Sequence, residues 1–361
     1  LEGLTVKNST GDTELKAGED YSAAFDSTTG FLTVTMLAGG KGAAATAIKV
    51  SGKVIDPSKV TKEDVIGAVD PSTGAETGAQ VIRQVYPRLG IVPGLILAPG
   101  WSQIPEVGLA LAAKAAKING VYSAMALLDL DTAKAKKYTD TESVKEESGY
   151  TSPFCYPLWP CDRVGEYILA KSAVAGAMIQ YMASDNEDVP NQSPSNHLLG
   201  VGGQCLEDGT ELYLDQDQAN TVNGYGVTTA INQNGYRLWG NYTGAYPASS
   251  DAKDIWFAVR RMFNWQGNNF IQTYFDKVDD PMNNVLVQSV VDSENIRCSA
   301  YAPKYWAGAS IEYKSDDNPT TDILAGKVTF RQHIAPYRPA QDIENILDYD
   351  TDTLAAAVGG N

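Results

Sequence analysis

The sequence predicts a mixed architecture, α/β plus α+β. A small N-terminal β domain, incomplete at its start, takes 1–56, and a central, mainly parallel α/β sheet domain takes 57–225. A C-terminal α+β domain follows at 226–335 and ends in an extended arm and tail at 336–361. Three observations carry this expectation. Short β-branched runs between Gly-rich turns fill the opening segment. From about Thr61, apolar runs of strand length alternate with helical stretches, as in a parallel sheet covered by helices. Beyond Gly226, an Asn-Gly hairpin signal gives way to long helices and one alternating strand.

The elements are justified in order. Thr33-Val34-Thr35-Met36 and Ile48-Lys49-Val50 read as strands, with Gly39-Gly40-Lys41-Gly42 as a joint or hairpin tip. Thr61 and Asp64 form a capping box that opens a short helix. An amphipathic helix is expected from Glu76 to Tyr86. Gly94-Leu95-Ile96-Leu97-Ala98 is an apolar run of the buried-strand kind, and Pro105 suits the first position of an Ala-rich helix reaching Ile118. Val121–Leu128 and Pro153–Trp159 read as further strands, and Gly165–Ala183 as a long helix. Asn186–Gly209 is polar and rich in Gly, Pro, Ser and Asn, hence a loop. Val227–Ile231 and Tyr236–Asn241 flank Asn234-Gly235 as a hairpin. Helices are expected from Ser250 to Lys277 and from Pro281 to Asn295, then a strand over Gly326–Ile334.

Composition excludes several function classes. Lys plus Arg total 28 and Asp plus Glu 44, a formal charge of −16, so neither nucleic acid nor an anionic membrane is an expected partner. No apolar run approaches the roughly 18–20 residues that span a bilayer. The chain opens Leu1-Glu2-Gly3, without Met or a basic leader, which suggests a fragment or processed form. Four Cys in 361 residues make no disulfide scaffold and, with no C-x-x-C, no zinc site. Cys155 and Cys161 flank a Pro-rich aromatic stretch as a conceivable pair, though buried free thiols are the simpler reading.

No catalytic set assembles from the sequence. Ligand sites of α/β sheets lie at the carboxyl ends of strands, here Pro99–Ser102, Asp129–Asp131 and Pro160–Asp162. Asp129 and Asp131 suit general acid–base work or Mg²⁺, but carboxylates at strand ends more often cap helices, and Asp131 precedes a helix-forming Thr-Ala-Lys run. Gly100-Trp101-Ser102 begins like a nucleophile elbow, yet Ile104 stands where the second Gly belongs. A Ser nucleophile needs a base, and only His197 and His333 are available. Gly200-Val201-Gly202-Gly203 lacks the Lys-Ser/Thr of a phosphate loop. No catalytic residue, cofactor or metal is therefore assigned. An α/β hydrolase with an unrecognised site is the alternative, and a carbohydrate-binding module a weaker one.

The C-terminus is the most telling segment. Pro336-Tyr337-Arg338-Pro339 favours a stiff extended spacer, with Pro336 and Pro339 as its hinge, because each Pro lacks an N–H and fixes φ. Beyond it, Ile343, Ile346, Leu347 and Tyr349 lie among acidic residues in a segment of β character. Two readings stand: a strand that folds back on its own domain, the simpler one, and a strand given to a neighbouring molecule.

Several stretches together resemble the tail sheath proteins of contractile phage tails and phage-tail-like bacteriocins. They include Gly90-Ile91-Val92-Pro93-Gly94-Leu95-Ile96-Leu97-Ala98-Pro99-Gly100, Gly226-Val227-Thr228-Thr229-Ala230-Ile231, Gly235-Tyr236-Arg237-Leu238-Trp239-Gly240-Asn241 and Val291-Asp292-Ser293-Glu294-Asn295-Ile296-Arg297. Asp317-Asn318-Pro319-Thr320-Thr321-Asp322 and Leu324-Ala325-Gly326-Lys327 belong to the same set, and the likeness runs from about Ile55 to Tyr349. The resemblance implies a structural subunit that polymerises as stacked hexameric rings in a helical sheath around a tail tube protein. It also implies a baseplate and a tail terminator as further partners. Contraction would drive the tube through a target envelope. Location would be the virion or a phage-tail-like particle, assembled in the bacterial host cytoplasm. The family's central part is described as subtilisin-like, but no Asp-His-Ser set matches here, so no protease activity is implied. The family's terminal arms complete sheets in adjacent subunits, which favours the donated reading of Ile343–Tyr349. Family members carry more chain before the small β domain, including an N-terminal arm.

Overall fold

The computed structural model describes residues 3–26, 30–53 and 57–359. Asp56, where the sequence places the end of the first domain, lies outside the described residues, as does Ile55, where the family likeness begins. The chain divides into two compact units, Leu1–Val60 and Thr61–Asn361.

The first unit is all strand and turn. Strands β1 (Thr5–Asn8), β2 (Glu14–Leu15), β3 (Tyr21–Phe25), β4 (Leu32–Met36) and β5 (Ile48–Ser51) form two small antiparallel sheets, β2-β1-β5 and β3-β4. Val6 faces both Leu15 and Val50 across β1, and with Tyr21 and Leu15 it forms the buried centre. Buried Asp20 accepts hydrogen bonds from the backbone N–H groups of Lys16 and Lys41, which tie two loops together and hold its carboxyl below the usual range.

The second unit begins with the expected capping box. The Thr61 hydroxyl accepts from Asp64 N, and the Asp64 carboxylate accepts from Thr61 N at 2.8 Å, opening α1 (Lys62–Ile66). The helix expected over Glu76–Tyr86 is instead a 3₁₀ stretch, Gly78–Gln84, followed by α2 (Val85–Leu89). Pro87 lacks the N–H that would bond back to Arg83, so one continuous α-ladder cannot form.

Next come β6 (Leu95–Leu97), α3 (Pro105–Ala116), β7 (Met125–Asp129), α4 (Thr141–Ser148) and β8 (Cys155–Leu158). The three strands form a parallel sheet in the order β6-β7-β8, with Leu95 beside Met125 and Ala126 beside Cys155. Every residue of β7 is buried, because the sheet is covered on both faces. Ile96, Ala126 and Leu128 pack with Val107, Leu111 and Ala115 of α3. Leu95, Leu97, Met125 and Leu127 point the other way, toward the helix over Lys171–Asp185. Gly108 lets α3 approach closely, since Tyr150 lies where a Cβ would stand.

The helix expected from Gly165 starts later. Cys161–Val164 and Tyr167–Leu169 form β9 and β10, an antiparallel pair turning at Gly165 (φ 60°), and α5 covers Lys171–Asp185. The expected loop at Asn186–Gly209 contains β11 (Gly203–Cys205), which pairs with β9 and with β12 (Glu211–Leu212). Helix α6 (Gln216–Gly224) leads to the expected hairpin, β13 (Thr229–Asn232) and β14 (Tyr236–Trp239), with Asn234 and Gly235 at φ 54° and 110° in the turn. Gln204 bridges β11 to β13 by donating to Ala230 O at 2.7 Å and accepting from Thr229 and Ala230.

The long helix expected from Ser250 is broken at Trp256, which bridges to Tyr242, giving α7 (Ala252–Ile255) and α8 (Phe257–Tyr274). Helix α9 (Asn284–Ala300) starts after Pro281 because Asn283 caps it, accepting from Leu286 N at 2.9 Å. Strand β15 (Trp306–Tyr313), α10 (Thr320–Leu324) and β16 (Phe330–Pro336) follow, and β15 and β16 pair only with each other among the described residues. The chain closes with α11 (Thr351–Ala357), capped by Asp350 and not foreseen from sequence.

Candidate functional site

The carboxyl ends of β6, β7 and β8 are built as a strut. Ser102 is fully buried, donates to Asp129 Oδ2 at 2.9 Å and accepts from Asp129 N at 3.0 Å. Asp129 also accepts from Ser172 N at 2.8 Å and from the Ser172 hydroxyl, so it fastens the start of α5 to the end of β7. Burial pushes its pKa up while the three serine donors pull it down. Asp131 does not cap a helix as expected: Ala133 N bonds to its carboxylate at 2.9 Å in a turn, and Ala135 O just beyond is held by the Trp159 indole at 2.8 Å. Lys171 and Asp162 form a buried ion pair alongside, and Asp162 Oδ2 has no hydrogen-bond partner.

The two histidines stand elsewhere. Burial lowers the pKa of His197, whose backbone carbonyl accepts from Leu238 N. His333 lies on β16 beside Glu312 Oε1 at 3.0 Å, exposed. Neither ring hydrogen-bonds Ser102. The glycines at 200–203 lead into β11, with Gly202 N bonded to Arg163 O. Cys161 faces Cys205 across β9 and β11, not Cys155, and all four cysteines are free. Burial holds the Cys161 thiol at about 12, protonated at neutral pH. No cluster of His, Cys, Asp and Glu fit for a metal exists among the described residues.

The arm region has a different character. Pro336 is the last residue of β16, opposite Trp306, and Pro339 lies three residues on. Two contacts pin the chain after β16: Tyr337 Oη donates to Pro303 O at 2.9 Å, and Tyr242 Oη donates to Gln341 Oε1 at 2.8 Å. Beyond Gln341 the side chains face water. Ile343 is 86% exposed, Ile346 75%, Leu347 85% and Tyr349 76%. No strand of the described residues pairs with this segment.

The ribbon before the arm is asymmetric. Asn295 of α9 donates to Ile311 O and accepts from Ile311 N, both at 3.0 Å, so its amide takes the place of a neighbouring strand on the outer edge of β15. Asn318 does the same for Thr329, at 2.8 and 2.7 Å, just ahead of β16. No side-chain amide covers Gln332 or Ile334 in this way among the described residues. The inner face is fixed by fully buried Glu294, which receives Gln266, Arg297 and Gln332 at 2.7, 2.7 and 2.9 Å. Both asparagines lie in stretches that carry the family likeness, Asn295 on a helix and Asn318 before a Pro, but no local signal marks either as an edge plug.

This open ribbon followed by an exposed apolar segment is the setting for the comparisons. No family model matches the chain. The tail sheath protein of Burkholderia phage BcepMu is 26% identical, over 99% of this chain and 76% of the relative. A putative prophage major tail sheath protein of Pseudomonas aeruginosa (strain UCBPP-PA14) is 29% identical, over 83% of this chain and 76% of the relative. Among solved structures, the sheath complex of the extracellular contractile injection system PVC in its contracted state superposes with a TM-score of 0.60 at 17% identity, covering 77% of this chain and 76% of that one. These relatives are contractile tail sheath proteins, and the chain is similar to them over most of its length. The mixed α/β fold with several small sheets is that of sheath-like structures. In a sheath subunit, Ser102 and Asp129 are packing struts.

Proposed function

We propose that this sheath subunit polymerises helically around a tail tube through its C-terminal segment, which leaves its own body and adds as a strand to a second copy. The carrying observation is the segment after Gln341, whose apolar side chains Ile343, Ile346, Leu347 and Tyr349 are 75–86% exposed in the single chain. Apolar residues concentrated in one exposed strand-like segment mark a contact waiting for its partner. The Pro336–Pro339 spacer acts as the hinge.

The asparagine plugs suggest which edge receives it. Ile311 bonds Asn295 on the side away from β16, so its antiparallel partner Gln332 directs its own N–H and C=O away from β15. The free edge is therefore that of β16, and Pro336 closes its far end because it has no N–H to give. Each backbone hydrogen bond of an added strand contributes about 0.5–1.5 kcal/mol net. A head-to-tail contact of this kind does not close on itself and builds an open helix. Hexameric rings, the tube, baseplate and terminator as partners, and assembly in a bacterial host cytoplasm complete the reading. The particle itself is a phage tail or a phage-like injection device. Within the larger unit we read 57–225 as the sheath's central α/β part and 226–335 as its C-terminal part. The hydrolase alternative draws no support, since Ser102 is buried and bonded to a carboxylate.

The test is removal of residues 342–361. Negative-stain microscopy of the full chain is expected to show rings or tubes. The shortened chain is expected to show none while keeping its circular dichroism spectrum and its melting temperature. Tubes of normal yield from the shortened chain would refute the donated arm.

A further inference from the structure

A groove of about 710 Å³ lies between α5 and α8, above Leu95 and Leu97 on the outer strand of the parallel sheet. Its floor is apolar, and one wall is a polar stripe of α8 that carries Arg261, Asn264, Asn268 and Asn269. Two of these amides are committed. Asn264 donates to Ala124 O at 3.1 Å, and Asn268 bonds both the N–H and the C=O of Ser123, at 2.9 and 2.7 Å. They dock α8 onto the start of β7.

Arg261 is not committed. Its guanidinium sits over the Phe257 ring, 5.6 Å from the centroid, and has no hydrogen-bond or ion-pair partner among the described residues. Desolvation lowers its pKa to about 10, which still leaves it charged at neutral pH. Its neighbours show what a settled arginine looks like here. Arg260 bonds Asp254 at 2.9 Å and Asn264 at 3.1 Å, and Arg297 is clamped by Glu294. Asp188 is the one acidic residue on the described groove walls, and it is exposed and makes no ion pair with Arg261. The half-buried Asn269 amide, two turns along the same face of α8, is likewise without a partner among the described residues. A desolvated cation without a counter-ion costs folding free energy. Such a cost is offset when a partner completes the pair, and arginine in a partly apolar recess is the residue type that dominates protein interfaces.

We propose that this groove receives a carboxylate side chain of a second copy of the chain, with Arg261 as its counter-ion. The assignment to a second copy, which rests on the sheath reading, follows from charge and shape. Every copy carries 44 acidic against 28 basic residues, so its surface offers carboxylates in excess. The mouth is bordered by exposed apolar Ile91, and an apolar rim around one half-buried cation suits a protein side chain better than a free anion. Arg261 gives two donors in a fixed fork, which a carboxylate matches.

The experiment compares the full chain with Arg261→Met, Arg261→Lys and the 342–361 deletion, scoring melting temperature at assembly-blocking dilution and the critical concentration for tube formation. Arg261→Met is expected to raise the melting temperature, because an unpaired half-buried charge is gone, and to raise the critical concentration at least about tenfold. Its assembly should also lose part of its dependence on ionic strength. Arg261→Lys should fall between, keeping the charge without the fork. Normal assembly of Arg261→Met would overturn the proposal, as would a lowered melting temperature, which would mean that Arg261 is a packing residue of the folded chain. Absence of any tubes from the full chain would overturn the sheath reading together with the second-copy occupant. Tubes lost in the deletion but normal in Arg261→Met would overturn this inference alone.

Discussion

The two sheets of the larger unit end in opposite ways. The parallel sheet β6-β7-β8 is finished at home: both faces are covered by helices, every residue of β7 is buried, and even the carboxylate at its end is bonded by two serines. The ribbon β15-β16 is half finished. One edge is closed by Asn295, the other has no such cover, and the chain leaves it with apolar side chains in water. The difference teaches where self-sufficiency stops. A fold can be stable as a single chain in its centre and still hold an incomplete layer at its margin, and such a margin is where a lattice contact belongs.

Substitutions in the two regions should separate stability from assembly. The largest stability effect is expected at the buried ion pair. Asp162→Asn leaves Lys171 charged and unpaired at zero exposure and should cost about 3–5 kcal/mol in urea titration, whereas replacing both residues by Leu and Met should be far milder. Leu128→Ala should cost about 2–5 kcal/mol, since its side chain is wholly enclosed between β7 and α3. Asn295→Ala removes the plug of β15, leaves the buried Ile311 backbone unpaired and should cost about 1–3 kcal/mol; it should also create a second sticky edge, read as non-helical aggregates in place of tubes. Leu347→Ala should move stability by less than about 0.5 kcal/mol yet lower tube yield. A loss of stability at Leu347 equal to that at Leu128 would erase the contrast.

A pH test sharpens the same contrast from the finished side. Lys145 is buried in α4, donates to Tyr225 O and Tyr246 O, and has its pKa lowered to about 8 by desolvation. Between pH 8 and its ordinary value of 10.5 the unfolded chain binds the proton and the folded chain does not, so this group's contribution to stability rises with pH across that window. Urea midpoints of the full chain, minus those of Lys145→Met, should increase from pH 8 to pH 10. A difference that is flat or falls would place the lysine in water.

Much of the finished region was legible in the sequence. The apolar runs Gly94–Ala98 and Val121–Leu128, which hold the strands Leu95–Leu97 and Met125–Asp129, the Thr61–Asp64 box and the Asn234-Gly235 turn are local signals, and local backbone physics settles them. The likeness to sheath proteins was legible for the same reason, since it lies in continuous stretches. The missed features are non-local. The Asn295 plug meets a backbone 16 residues away, and Gly108 matters only because Tyr150 folds over it. The sequence offers Cys155 as a conceivable partner of Cys161, with free thiols as the simpler reading; the sheet brings Cys205 opposite Cys161, and the thiols are free. Arg260 and Arg261 are adjacent in sequence, yet successive helix residues diverge by about 100°, so one finds Asp254 and the other turns into a groove.

The bond between Tyr242 and Gln341 fixes where the free part of the arm begins. From there to the Asp350 cap of the last helix run eight residues, 342–349, which fully extended span at most about 29 Å. If the arm is donated as proposed, that length is a mechanical limit: any change of shape between linked subunits would have to keep the two ends of the segment within it, and a larger step would tear the seam.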